Sequence, residues 1–134
     1  MAQIVLSESR QEKTMLNVHI ENVGEMAILE CDGRIVQSDA ALKLREAVNL
    51  QSDCRIIVLD LSNVPSIEGG GLGMLVFLQQ WAQNHGIRLK LFNPCQFVRR
   101  RLDRVSSMRE FDIVTLDELM ALLAHANEET HQAA

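Results

Sequence analysis

With 134 residues the chain has room for one domain, large enough to bury a core without disulfides or a metal. Its 47% apolar and 23% charged residues are ordinary for a soluble globular protein, and a net charge of −5 argues against general affinity for nucleic acid or anionic membranes. No stretch approaches the ~20 apolar residues needed to span a bilayer, and MAQIVLSESR lacks the apolar core of a signal peptide. Cys31, Cys54 and Cys95 are odd in number and widely spaced, as suits free thiols in a reducing compartment. A cytoplasmic location without membrane insertion is expected.

Residues 1–14 are polar after the first few positions and predict a flexible arm, or at most an added edge strand. Leu16, Val18 and Ile20 then alternate with Asn17, His19 and Glu21, a strand with one wet face. Asn22-Val23-Gly24-Glu25 supplies a turn, and Met26 to Cys31 returns as the second strand of an antiparallel hairpin. His19 has no second ligand nearby and reads as a surface histidine, so no metal site is expected.

Ser38 or Asp39 can cap a helix that runs to about Leu50, with Ala41, Leu44, Ala47 and Val48 on one face. A strand from Cys54 to Asp60 follows, and a second helix occupies Gly70 to Asn84, stopping at His85-Gly86. Leu72, Leu75, Leu78, Gln79 and Ala82 form one side of that helix; Met74, Phe77 and Trp81 form another that serves either as core or as a partner anchor. Leu89, Leu91 and Phe92 give a short strand. Asn93 is placed to cap, and Pro94 to begin, a third helix that turns Phe97, Val98, Leu102 and Val105 inward and carries Arg99, Arg100, Arg101 and Arg104 as a basic patch. Phe111 to Val114 is the last strand. Thr115-Leu116-Asp117-Glu118 is a capping box for a helix with a Leu116, Leu119, Met120, Leu123 stripe, and NEETHQAA from Asn127 reads as a polar tail with His125 and His131 at the surface or unstructured. The order is β-β-α-β-α-β-α-β-α: an α/β fold with a mixed sheet and helices packed on it, in a domain spanning 15–126 between the arm and a tail at 127–134.

The chain is organised around Arg55 to Gly73, RIIVLDLSNVPSIEGGGLG. Ile56, Ile57, Val58 and Leu59 form a run suited to a strand buried on both faces, and Glu68 followed by Gly69, Gly70 and Gly71 leaves bare backbone where strand hands over to helix. A phosphate-binding loop, Gly-x-x-x-x-Gly-Lys-Ser/Thr, meets Met74 six residues into the run and no lysine until Lys90, a dinucleotide fingerprint has no closing glycine, and a nucleophile elbow has no serine. A glycine-lined docking surface and a structural turn with close helix-to-strand approach both remain.

The segment D-L-S-N-V-P-S-I-E-G-G-G-L-G also resembles the central segment of the STAS domain, the module shared by bacterial anti-sigma factor antagonists and sulfate transporter tails. There the motif reads Asp-Ser-Ser/Thr-Gly-Leu-Gly. On that match Glu68 takes the acidic position, Gly71, Leu72 and Gly73 match directly, and Gly70 falls where the family carries its phosphorylated serine or threonine. Asp32-Gly33-Arg34-Ile35, Asn93-Pro94, Val98-Arg99-Arg100, Leu102, Phe111 and Ile113 extend the likeness over roughly Leu16 to Ala126.

The resemblance implies a non-enzymatic regulatory protein, similar to an anti-sigma factor antagonist, that binds a kinase-type anti-sigma factor or another STAS-binding regulator. Glycine has no hydroxyl, so no phosphorylation at Gly70 is expected; Ser66, Ser62 or Ser38 could receive a relocated modification, although each also reads as a turn or cap residue. The expected partner surface is Ser66, Glu68, Gly69, Gly70, Gly71, Leu72, Met74 and Phe77, with Arg34 and Ser38 in the neighbouring loop. The alternative is a STAS subunit of a larger assembly, such as a lipid-transport ATPase complex or a stress-signalling scaffold. No cofactor is expected, and no acid-base pair, metal cluster or activated nucleophile suggests an enzyme.

Overall fold

The computed structural model describes residues 16–35, 38–105 and 111–133; the expected N-terminal arm lies outside them. Its elements follow the predicted order: β1 (Asn17–Val23), β2 (Met26–Asp32), α1 (Ser38–Asn49), β3 (Ile56–Asn63), α2 (Gly70–Asn84), β4 (Arg88–Phe92), α3 (Gln96–Val105), β5 (Asp112–Val114) and α4 (Leu116–Ala133). The strands lie side by side in sequence order, β1 antiparallel to β2 and every later pair parallel.

Alternation along the strands divides the core in two. Leu29, Cys31, Ile57, Leu59, Leu61, Leu89 and Leu91 face α1, α2 and α3, which contribute Leu44, Val48, Leu75, Leu78, Val98 and Leu102. Met26, Ile28, Ile56 and Val58 point the other way, into a smaller cluster with Leu119, Leu122, Leu123 and Ala126 of α4. Helices on both faces explain why Ile56 to Leu59 is apolar without alternation.

Several boundaries differ from expectation. The hairpin turn is only Gly24-Glu25, because Asn22 pairs with Ala27 and Val23 with Met26. The third strand starts at Ile56, not Cys54: the Cys54 N–H is taken by the Gln51 carbonyl (3.0 Å), and the chain joins the sheet only where Arg55 N–H donates to Glu25 O (2.8 Å). It also runs beyond Asp60, whose carboxylate accepts a hydrogen bond from Ser62 N–H (2.9 Å).

Asn93 does not cap α3. It adopts a left-handed φ of 52° and its side-chain amide donates to Ser62 Oγ (3.1 Å), while the first helical bond runs from Arg99 N–H to Cys95 O (2.8 Å). On α3, Val98 and Leu102 are buried but Phe97 is 45% exposed, one position off the inward row, with the Arg101 guanidinium 5.0 Å from its ring centroid. The capping box of α4 is formed: Thr115 N–H donates to Glu118 Oε1 (3.0 Å) and Glu118 N–H to Thr115 Oγ1 (3.1 Å). Leu116 and Met120 are nevertheless exposed, since the inward row is Leu119, Leu122, Leu123 and Ala126. The stretch expected as a tail from Asn127 continues α4 to Ala133; Glu, Gln and Ala are good helix formers and need no apolar face to prolong an established helix. His125 accordingly sits on a helix, exposed.

Two features of the core carry predictions. Lys90 turns into the α4 side of the sheet with its side chain only 10% exposed, and its ammonium donates to Asp112 Oδ2 at 2.6 Å. Asp112 is half-exposed, so Asp112→Asn is expected to cost about 1–2 kcal/mol in urea unfolding, less than a fully buried pair would. Lys90→Met, which removes the buried charge as well, is expected to be close to neutral.

Cys31, Cys54 and Cys95 are free thiols. Burial, reinforced by the charge of Asp60, pushes the Cys31 thiol up to about 12. Below about pH 9 the thiol is protonated in both the folded and unfolded chains, and its contribution to stability is complete. Above that, the unfolded chain ionises while the folded one holds its proton, so stability falls as pH rises toward 12. Urea midpoints at about pH 8 and about pH 10.5 should fall further apart in the wild type than in Cys31→Ala, which lacks the titrating group.

Candidate functional site

Beyond β2 and β3 the two chains stay paired past the ends of the strands. Gly33 N–H donates to Asn63 O (3.1 Å), Ile35 N–H to Ser66 O (3.1 Å) and Glu68 N–H to Ile35 O (3.3 Å), and Ile35 and Ile67 form an isolated parallel bridge. This seam brings Arg34 and Ile35 alongside Ser66 to Gly71, two stretches that the sequence analysis placed in one surface. Ile35 and Ile67 are fully buried and anchor it, whereas Arg34, Glu68, Gly69 and Gly70 are exposed.

The three consecutive glycines have three different roles. Gly69 precedes α2 with φ 52° and ψ −119°, a conformation that side chains resist, and it provides no side-chain cap. Gly71 is buried: a Cβ built there would lie 1.8 Å from the carbonyl oxygen of Ile35. Gly70 is the first residue of α2, and a Cβ there would meet nothing within 4 Å. The close helix-to-strand approach therefore falls on Gly71, while its neighbour Gly70 is an open, exposed position.

Charge at the junction is fixed from a distance. Arg101 of α3 donates to Glu68 Oε1 at 2.6 Å, so one member of the basic patch holds the acidic residue that precedes the glycines. In the sequence Arg99, Arg100, Arg101 and Arg104 stand out only as a basic patch; no local spacing relates positions 68 and 101, which the fold alone brings together.

Along α2, Leu72 and Met74 are half-buried and Phe77 is 46% exposed, about 10 Å from Gly70 by helical rise. The Arg45 guanidinium of α1 lies 5.3 Å from the Phe77 ring centroid. Met74 and Trp81 pack against the edge of the main core, so the second stripe is divided: its two ends support the core and Phe77 is presented to solvent. Ser66 is half-buried, and Ser62 is engaged by Asp60 and Asn93. The backbone of Ser38 opens α1; residues 36 and 37, between it and Ile35, lie outside the described residues. Among the described residues, no group of three His, Cys, Asp or Glu side chains could hold a metal, and no helix is long and apolar enough to cross a membrane.

A mixed five-stranded sheet with three helices on one face and one on the other, and a backbone-lined strand-to-helix junction, defines a class of small α/β modules. The chain belongs to the STAS domain family, whose model matches residues 17–120. Among solved structures it is similar to the anti-sigma factor antagonist SpoIIAA of Bacillus in its unphosphorylated form, at 14% identity and TM-score 0.66 over 81% of this chain and 97% of that one. An anti-sigma factor antagonist from Mycobacterium paratuberculosis matches at 17% identity and TM-score 0.67, covering 81% and 94%. The murine anion transporter Slc26a9 matches at 15% identity and TM-score 0.70, over 94% of this chain but 25% of the transporter. These likenesses establish the shared fold. No curated protein sequence matches the chain.

Proposed function

We propose that this chain is a non-enzymatic, cytoplasmic binding module of the anti-sigma antagonist kind, held permanently in the form that engages a kinase-type partner. The observation that carries the reading is Gly70. It stands at the exposed first position of α2, where the antagonist motif has its phosphorylated hydroxyl, and has no atom to receive a phosphate. Phosphorylation in such a switch acts by placing about two negative charges at a helix N-terminus that docks on a partner. A glycine adds no charge to that helix N-terminus, and the Glu68–Arg101 pair keeps the preceding carboxylate occupied within the protein.

The partner surface under this reading is Arg34, the Ser38 end of α1, Ser66, Glu68, Gly69, Gly70, Leu72, Met74 and Phe77, arranged around the buried Gly71. Arg45 over Phe77 extends it toward α1. The missing hydroxyl equally suits an assembly subunit that holds its partner without a phosphorylation cycle, and this is the second reading.

Affinity capture from the host, with Gly70→Asp as the control, separates the two. Recovery of an ATP-binding kinase-like protein, lost in the control, supports the permanently active antagonist. Recovery of transporter or scaffold subunits makes the chain an assembly component, and a partner retained equally by Gly70→Asp removes this junction from the interface.

A further inference from the structure

At the opposite end of the sheet, about 23 Å from the glycine junction along β3, lies a cavity of about 340 Å³ between the amino ends of the parallel strands and the second half of α4. Its floor is apolar. Met26, Ile56 and Arg88 stand in register across β2, β3 and β4 on the α4 side, and Leu122 and Ala126 cover Met26 and Ile56 from above. The rim is polar: Arg55, Arg88, Glu25 and His125 line it, and Gly86 contributes no side chain to narrow the opening.

The two arginines are held close by the backbone, Arg88 N–H donating to Arg55 O at 2.8 Å. Their side chains differ in occupation. Arg55 Nε meets the Glu25 carboxylate at 3.4 Å, whereas the Arg88 guanidinium makes no ion pair or hydrogen bond among the described residues. An uncommitted guanidinium fork over an apolar floor recognises an oxyanion head carried on an apolar body, and the volume falls within the range of small-ligand sites.

We infer that this cavity binds a small organic oxyanion, a carboxylate or phosphate attached to an alkyl or aryl group. Arg88 holds the head, and the Met26, Ile56, Leu122 and Ala126 surface holds the body. The site is independent of the glycine junction and needs no hydroxyl there.

The test is an amide chemical-shift titration of the isotopically labelled full chain with benzoate and with phenyl phosphate, which share a body and differ in head. At least one should give saturable shifts at Ile56, Arg88 and Ala126, with Kd on the order of 1 mM. Arg88→Gln, at an exposed strand start, should weaken that binding at least about fivefold, and Arg88→Met serves if the first variant does not fold. Inorganic phosphate, the head alone, and benzyl alcohol, the body alone, should each bind at least about fivefold more weakly than the better of the two joined probes. The inference is overturned by absence of saturable shifts at these residues, by unchanged affinity in the folded arginine variant, or by either half-probe matching that joined probe.

Discussion

Gly71→Ala is expected to lower the melting temperature by about 10 °C or more, while Gly73→Ala, two residues further along the same helix, is expected to raise it slightly. The added methyl at Gly71 would sit 1.8 Å from the Ile35 carbonyl oxygen and 2.7 Å from its carbonyl carbon, against backbone that cannot swing aside as a side chain does. Relief requires α2 to lift from the loop after β2, and that loop is hydrogen-bonded through Ile35 to Ser66 and Glu68. Overpacking of this kind costs about 3 kcal/mol, at the upper end of the usual range. Gly73 has nothing within 4 Å of its added Cβ and lies inside the helix, so alanine there contributes about 0.5–1 kcal/mol of helix propensity. Thermal scans of the two variants side by side provide the check. Equal melting temperatures would mean that the approach of α2 to Ile35 is not a packing constraint.

Replacing Gly70 should separate binding from folding. Gly70→Asp introduces a side chain into open space at the first turn of α2, where a negative charge interacts favourably with the helix dipole. Stability is expected to hold or to rise by about 0.5–1 kcal/mol. Affinity for a kinase-type partner docking at this junction should nevertheless fall at least about tenfold, because the carboxylate places a negative charge at a helix start where the native glycine has none. Gly70→Ser is the companion: it restores a hydroxyl without charge, should bind as the native chain does, and should become labelled by the partner kinase with ATP. Loss of binding in Gly70→Asp accompanied by loss of stability would point to misfolding. Retained binding would move the interface toward Phe77 or the arginines of α3.

Much of this architecture was legible because its signals are local. The Thr115–Glu118 box, the α1 stripe of Ala41, Leu44, Ala47 and Val48, and the bounds of α2 each depend on residues a few positions apart, and the structure bears them out. Misreadings arose where a distant group decides. Asn93 has the composition of a helix cap but is claimed by Ser62 across the loop, and Phe97 is apolar yet held outward beneath Arg101. The stripe of α4 shifted because its inward face is chosen by Met26 and Val58 of the sheet, not by the first leucine of the helix. At the junction, the sequence suggested that the glycines matter but not that each matters differently. Only the position of the Ile35 carbonyl distinguishes a glycine that cannot be replaced from one with open space beside it.

The strand order β1-β2-β3-β4-β5 has a consequence for how the protein is made. Each strand pairs with the one synthesised just before it, and no strand is inserted later between two already joined. A nascent chain can therefore lay down the Gly24 hairpin first and extend the sheet one crossover at a time as each β-α unit leaves the ribosome. The growing edges at β2, β3 and β4 are each covered by the next strand to emerge, which shortens the time during which an open strand edge can meet another chain. The helix that seals the second face follows all five strands in the chain, so that face is completed only after the sheet has been laid down.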